Sequence, residues 1–248
     1  MMPANTCPTY MRAALTAFLA LALAGCGESM RISSENGVPL AQLDFQGTAP
    51  TALGVSGPDD VVLTIGDALA IAVEGDPDAV EDLRFERTGD ELRIMRKSGM
   101  GWDSGTATIR VTMPPPERLT LSGSGSIDAP VLARDAAIAS SGSGTVEVAD
   151  IQTDRLKVDI TGSSRISGSG TTYRLAIAVS GSGQANLRNL TAQQATVSSA
   201  GSGDVAFASD GRVTASVAGS SDVTVIGDAV CIGNTSGSGS LSCRAASR

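Results

Sequence analysis

Apolar and polar residues alternate along most of this chain, and glycine interrupts the alternation at regular intervals. Two and four positions before a glycine lie Leu121 and Leu119, then Ile160 and Val158, then Val179 and Ile177. Four and six positions after one lie Val146 and Val148, then Val205 and Phe207, then Val223 and Val225. Strand side chains alternate between two faces, so all these residues share one side. The pattern predicts a unit of strand, Gly-Ser corner, strand and a second polar turn such as "ADIQTDR" (149–155).

The unit recurs. Its corner glycines are Gly123, Gly142, Gly162, Gly181, Gly201, Gly219 and Gly237, in steps of 19, 20, 19, 20, 18 and 18 residues. A fixed period near this length marks a solenoid. The expected fold is all-β, a parallel β-helix with coils of 18–20 residues. An antiparallel sandwich also shows alternation but does not demand a constant period. Glycine suits a corner because it adopts positive φ without a Cβ clash.

Other readings of the Ser-Gly-Ser-Gly corner fare worse. A flexible linker would lack the flanking alternation. A phosphate loop would continue into Gly-Lys-Ser/Thr and a helix. "GSGDVAF" (201–207) resembles half of a calcium-binding repeat, but the place of Asp204 is taken by Ser126, Thr145, Arg165 and Gln184 in other coils. Calcium needs recurrent carboxylates.

Composition narrows the chemistry. Aromatics are 3% of a chain that is 42% hydrophobic, so the core is built from Val, Ile, Leu and Ala. The net charge of −8 and the lack of a Lys/Arg cluster argue against nucleic acid. With no histidine, Ser-His-Asp and Cys-His nucleophiles and His metal sites are excluded. No cofactor or metal is expected, and no catalytic residue is assigned. The charged patch Asp154, Arg155, Lys157 and Asp159 reads as a solvated surface.

The N-terminus reads as an address. In "MRAALTAFLALALAGCGES" (11–29), Arg12 precedes an apolar run, Ala13 to Ala24, that is too short to span a bilayer as a helix. The run ends in Leu-Ala-Gly-Cys, which resembles a bacterial lipobox with cleavage before Cys26 and lipid on its thiol and amino group. The alternatives are an ordinary secretory signal and an unprocessed anchor. Translation could start at Met11, which would leave Cys7 outside the protein. Residues 1–25 are expected to be a signal peptide, 26–47 a tether and 48–248 one domain. "VPLAQLDF" (38–45) fits either the tether or a first strand. Gly27 after the cysteine resembles the outer-membrane sorting pattern of Gram-negative lipoproteins. The expected partners are the membrane, through the lipid, and an envelope protein or polysaccharide.

Two further features stand out. Cys231 and Cys243 flank Gly237 at equal distances and equal parity. An exported chain meets an oxidising compartment, so a disulfide closing the last coil is expected, with two buried thiols as the alternative. Trp102, alone of its kind, lies in "GMGWDSG" (99–105). It could contact a sugar or a partner, or pack back on a coil.

Residues 49–118 carry longer strands, with "TGD" (88–90) as a hairpin turn and "DPDAVEDL" (76–83) as a short helix or turn. Val55, Ser56, Gly57 and Pro58, followed by Val61 and Leu63, fit the coil template loosely. The order of "VSGPDDVVLTIGD", "VEGDPDAVEDLRF", "GDELRIMRK", "VTMPPPERLTLSGSGSI" and the later coils resembles the GIN domain family over about residues 48–243. The resemblance implies a right-handed β-helix and an envelope address, and it transfers no catalytic motif. The functional expectation is a non-enzymatic, lipid-anchored envelope protein with an adhesion or binding surface. The alternative is a β-helix that binds or cleaves polysaccharide. A cleaving enzyme should repeat an acidic cluster on neighbouring coils, and a lectin should show an aromatic ladder.

Overall fold

A computed structural model describes residues 37–97 and 105–244. Cys26, the signal segment and Trp102 lie outside the described residues. The strands in chain order are β1 (Ala52–Gly57), β2 (Asp60–Ile65) and β3 (Ala70–Gly75), then, after helix α1 (Pro77–Asp82), β4 (Leu83–Thr88), β5 (Glu91–Arg96) and β6 (Ala107–Met113). The coil strands follow as β7 (Arg118–Gly123), β8 (Ser126–Val131), β9 (Asp135–Gly142), β10 (Thr145–Gly162), β11 (Arg165–Gly181), β12 (Gln184–Gly201), β13 (Asp204–Gly219), β14 (Asp222–Ile226), β15 (Val230–Gly237) and β16 (Ser240–Arg244).

These strands form a parallel β-solenoid. Each coil has a first side, before the corner glycine, and a second side after it. Gly123, Gly142, Gly162, Gly181, Gly201, Gly219 and Gly237 stack in register, and Gly57 extends the ladder below Gly123. Gly142 shows why the position is glycine. Its φ is +108°, and a Cβ there would lie 2.5 Å from the carbonyl oxygen of Gly123. Successive corners are tied by backbone bonds such as Ser143 N–H to Gly123 O, 2.8 Å. All twelve residues of the inward parity named from sequence are buried.

The second turn is not the polar turn expected. Strand β10 runs through "ADIQTDR" without a break. Ile151 and Thr153 are buried there, and Thr153 donates to the Thr172 hydroxyl on the next coil at 2.8 Å. The chain turns with inward side chains, which alternation alone did not separate from a loop.

The first coils stack out of chain order. Strand β1 lies between β5 and β7, and β2 lies between β6 and β8, all parallel. The β5–β6 coil, later in sequence, therefore sits beneath the β1–β2 coil. Below it, β3 pairs antiparallel with β6 and β4 antiparallel with β5, the latter through the Gly89 hairpin. The reversed layer closes that end of the stack. Residues 38–43, expected to be tether or strand, form neither. Val38 bridges Phe85, a 3-10 turn covers Leu40–Gln42, and Leu43 is buried against the core.

Asp59 fastens the out-of-order coil. It stands two residues past Gly57, where the next coils carry Gly125 and Gly144. Its carboxylate is 2% exposed, so it needs partners. It accepts from Arg96 Nε at 2.8 Å and from the Ala107 N–H at 2.9 Å, both on the coil beneath. The hydrogen bond to Asp59 raises the Arg96 pKa above its ordinary value, against the opposing effect of burial.

At the other end, Cys231 on β15 and Cys243 on β16 form a disulfide across the Gly237 corner. Cys231 is half-buried and Cys243 exposed, since they lie on the last coil described.

Candidate functional site

Two shallow grooves run across the coils, one on each side. Outward positions of the first side are mostly Ala, Ser and Thr, so the few long side chains stand clear of a low floor. Asp135, Arg155, Arg174 and Gln194 are register partners on four successive coils. Arg118, Ala137, Lys157 and Ala176 form a parallel line. Together with Glu117 they border a groove of about 520 Å³.

The groove's charges are unevenly paired. Arg155 donates to both Asp135 oxygens, at 2.9 and 3.0 Å. That bond holds the Asp135 carboxyl below its ordinary range and raises the Arg155 guanidinium. Lys157 meets Asp159 at 2.7 Å, and Arg134 meets Asp154 at 3.6 Å. The patch Asp154, Arg155, Lys157 and Asp159 is thus a set of exposed ion pairs, as its solvated reading implied. Such pairs add little stability. Arg174 lies 5.3 Å from the centre of the exposed Tyr173 ring. Neither Arg174 nor Arg118 has a carboxylate partner among the described residues.

The second side has its groove where the register slips. Pairing shifts between Val148 and Ile151, between Ser167 and Ser169, and between Leu187 and Thr191, on three consecutive coils. Bulges of this kind re-aim side chains. Ser167, Asn186, Arg188 and Asn189 line the resulting groove of about 320 Å³, with Glu147 at one margin. Bare backbone at Gly168 forms part of the floor. A Cβ there would lie 2.6 Å from Ile151 Cδ1. A second hollow of about 260 Å³ shares Asn186 and Arg188 and extends to Gln184 and Asp204. The sequence held a signal for this groove. The 20-residue coils carry extra residues in this stretch, and solenoid insertions often mark a binding face.

A further feature was missed. Asp128 and Glu147 each stand five residues past a corner glycine, on adjacent coils. Asp60, one coil below, accepts from the Ser126 hydroxyl at 2.6 Å. Burial, then Glu147 and Asp60, push the Asp128 carboxyl above its ordinary range. Comparing offsets from successive glycines would have aligned Asp128 with Glu147. Among the described residues, no group of three or more His, Cys, Asp or Glu is placed to hold a metal ion.

The family model described as "Putative auto-transporter adhesin, head GIN domain" matches residues 49–229. The chain belongs to this family. No curated protein matches it. Among solved structures, a putative adhesin from Bacteroides fragilis is similar with a TM-score of 0.72 and 19% identity, over 82% of this chain and 95% of that one. A putative lipid binding protein from Parabacteroides distasonis is similar with a TM-score of 0.61 and 22% identity, over 80% and 94%. A putative adhesin from Parabacteroides merdae gives 0.56 and 12%, over 79% and 92%. At these identities the likeness is one of fold. The GIN-domain solenoid of this chain therefore shares its architecture with proteins named for binding.

Proposed function

We propose that this protein is a non-enzymatic, lipid-anchored protein of the bacterial cell envelope that holds an extended partner along its coils. The observation that carries the reading is the pair of grooves, each crossing several coils and each holding side chains with no hydrogen bond or ion pair among the described residues, Arg118, Arg174 and Gln194 in one and Asn186, Arg188 and Asn189 in the other. Hydrogen-bonding groups left open in a preformed groove are equipment for binding. The lipobox-like "LAGC" (23–26) supplies the anchor, with acyl chains on Cys26. The segment between Cys26 and Val38 then links the lipid to the solenoid. Protease shaving of intact and permeabilised cells tests the address. Loss of the domain in intact cells supports adhesion or capture at the surface. Protection until permeabilisation supports a periplasmic partner.

One observation favours polysaccharide cleavage as a second reading. Asp128 and Glu147 face each other on neighbouring coils, and the Asp128 carboxyl is raised. Two carboxylates in different surroundings suit acid and base roles. Release of reducing ends from an envelope polysaccharide, abolished by Asp128→Asn, would support this reading. No release supports binding alone.

A further inference from the structure

We propose that the first-side groove binds an acidic polysaccharide, a chain whose carboxylates or other anionic groups lie along the coil axis. The inference rests on the reading of the chain as a binding protein and adds the charge of its ligand.

Charge placement carries the argument. The chain as a whole is acidic, at −8. The groove nonetheless gathers four cations, Arg118, Arg155, Lys157 and Arg174, against Glu117 and Asp135 in its lining and Asp159, which reaches Lys157 from the margin. Arg155 and Arg174 are direct register partners. Like charges opposite each other in a sheet are unfavourable unless something neutralises them. Asp135 does so for Arg155, and Asp159 for Lys157. Among the described residues no carboxylate pairs with Arg174 or Arg118. An incoming anion would complete both.

Shape selects a chain over a single ion. The groove crosses five coils, from Arg118 on β7 to Gln194 on β12. At one β spacing per coil that is about 19 Å, the reach of several sugar rings. Ala137 and Ala176 keep the floor low between the cations. Gln194 offers both a donor and an acceptor for a hydroxyl. The exposed Tyr173 ring beside Arg174 adds a stacking surface for a sugar. Arg212 continues the line one coil past Gln194. A planar membrane would meet the protruding side chains but leave the recess unfilled.

Binding of the full chain to polygalacturonate, to dextran and to phosphatidylglycerol vesicles tests this. The expected result is binding to polygalacturonate that weakens with added salt, as screening requires. Arg118→Gln and Arg174→Gln should each weaken it about tenfold, the usual scale of a hydrogen bond to a charged group. Arg110→Gln, on the second side, should leave it unchanged. Equal binding to dextran, or indifference to both substitutions, overturns the acidic ligand and leaves the binding reading intact. Binding to vesicles alone, lost in the same variants, overturns the polysaccharide in favour of lipid phosphate. No binding to any of the three also overturns the inference.

Discussion

Asp128 and Glu147 are register partners on adjacent coils, with their carboxylates on the same outward face. The folded protein pushes the Asp128 carboxyl above its ordinary range, chiefly by burial and then through Glu147 and Asp60. A carboxyl raised on folding binds more protons in the native state than in the unfolded one. Stability therefore falls as pH rises from the ordinary carboxylate value through the raised one, and the penalty is constant above it. Asp128→Asn should remove a like-charge contact of about 0.2–1 kcal/mol at pH 7. The gain should vanish near pH 3. Thermal unfolding of both proteins across that range checks it, and equal midpoints at pH 7 would contradict it. Asp135, held low by Arg155, has the opposite sign: its contribution is present above the ordinary range and lost as pH falls.

The corner ladder predicts a contrast between two glycines. Gly181 has a φ of +117°, and a Cβ there would lie 2.6 Å from the Gly162 carbonyl oxygen. Gly89, in the β4–β5 hairpin, has a φ of +62° and nothing within 4 Å of its Cβ position. Gly181→Ala should cost more than the about 1–3 kcal/mol of backbone strain alone, because the stacked backbone cannot withdraw. Gly89→Ala should cost only the about 1–2 kcal/mol of a left-handed backbone, because nothing stands where its Cβ would go. Denaturant unfolding of the two variants measures the difference. Equal losses would show that the ladder is not the constraint.

The Cys231–Cys243 bond closes a loop of 12 residues at the last coil. Replacing both cysteines with alanine should cost about 2–4 kcal/mol, mainly through the freed unfolded chain. The first amides to lose hydrogen-exchange protection should be those of β15 and β16, which lie at the end of the described stack. Unchanged protection there would mean that packing on β13 and β14 holds the coil without the bond.

The solenoid was legible because its signals are local. Parity around Gly142 or Gly201 and a period of 18–20 residues need only neighbouring sequence. The disulfide followed from the same parity, since Cys231 and Cys243 are equidistant from Gly237. The first coils were less legible. Between Gly57 and Gly123 the chain lays down β3, β4, β5 and β6, and β5 and β6 go beneath β1 and β2. That placement depends on contacts such as Asp59 with Arg96, 37 residues apart. No local pattern encodes them. The grooves fell between these cases. Asp128 and Glu147, or Arg155 and Arg174, are visible once coils are aligned, but single charged residues on a polar face carry no mark of function.

The proposed function rests on a lipid carried by Cys26, so the modification of that residue tests the central claim most directly. Cells are fed a clickable fatty acid, and wild type and Cys26→Ala are compared for label and for membrane partition. The account predicts labelled protein in the membrane fraction for wild type. For Cys26→Ala it predicts no label and release from the membrane. Unlabelled wild type, or a Cys26→Ala protein that stays membrane-bound, would contradict the lipid anchor.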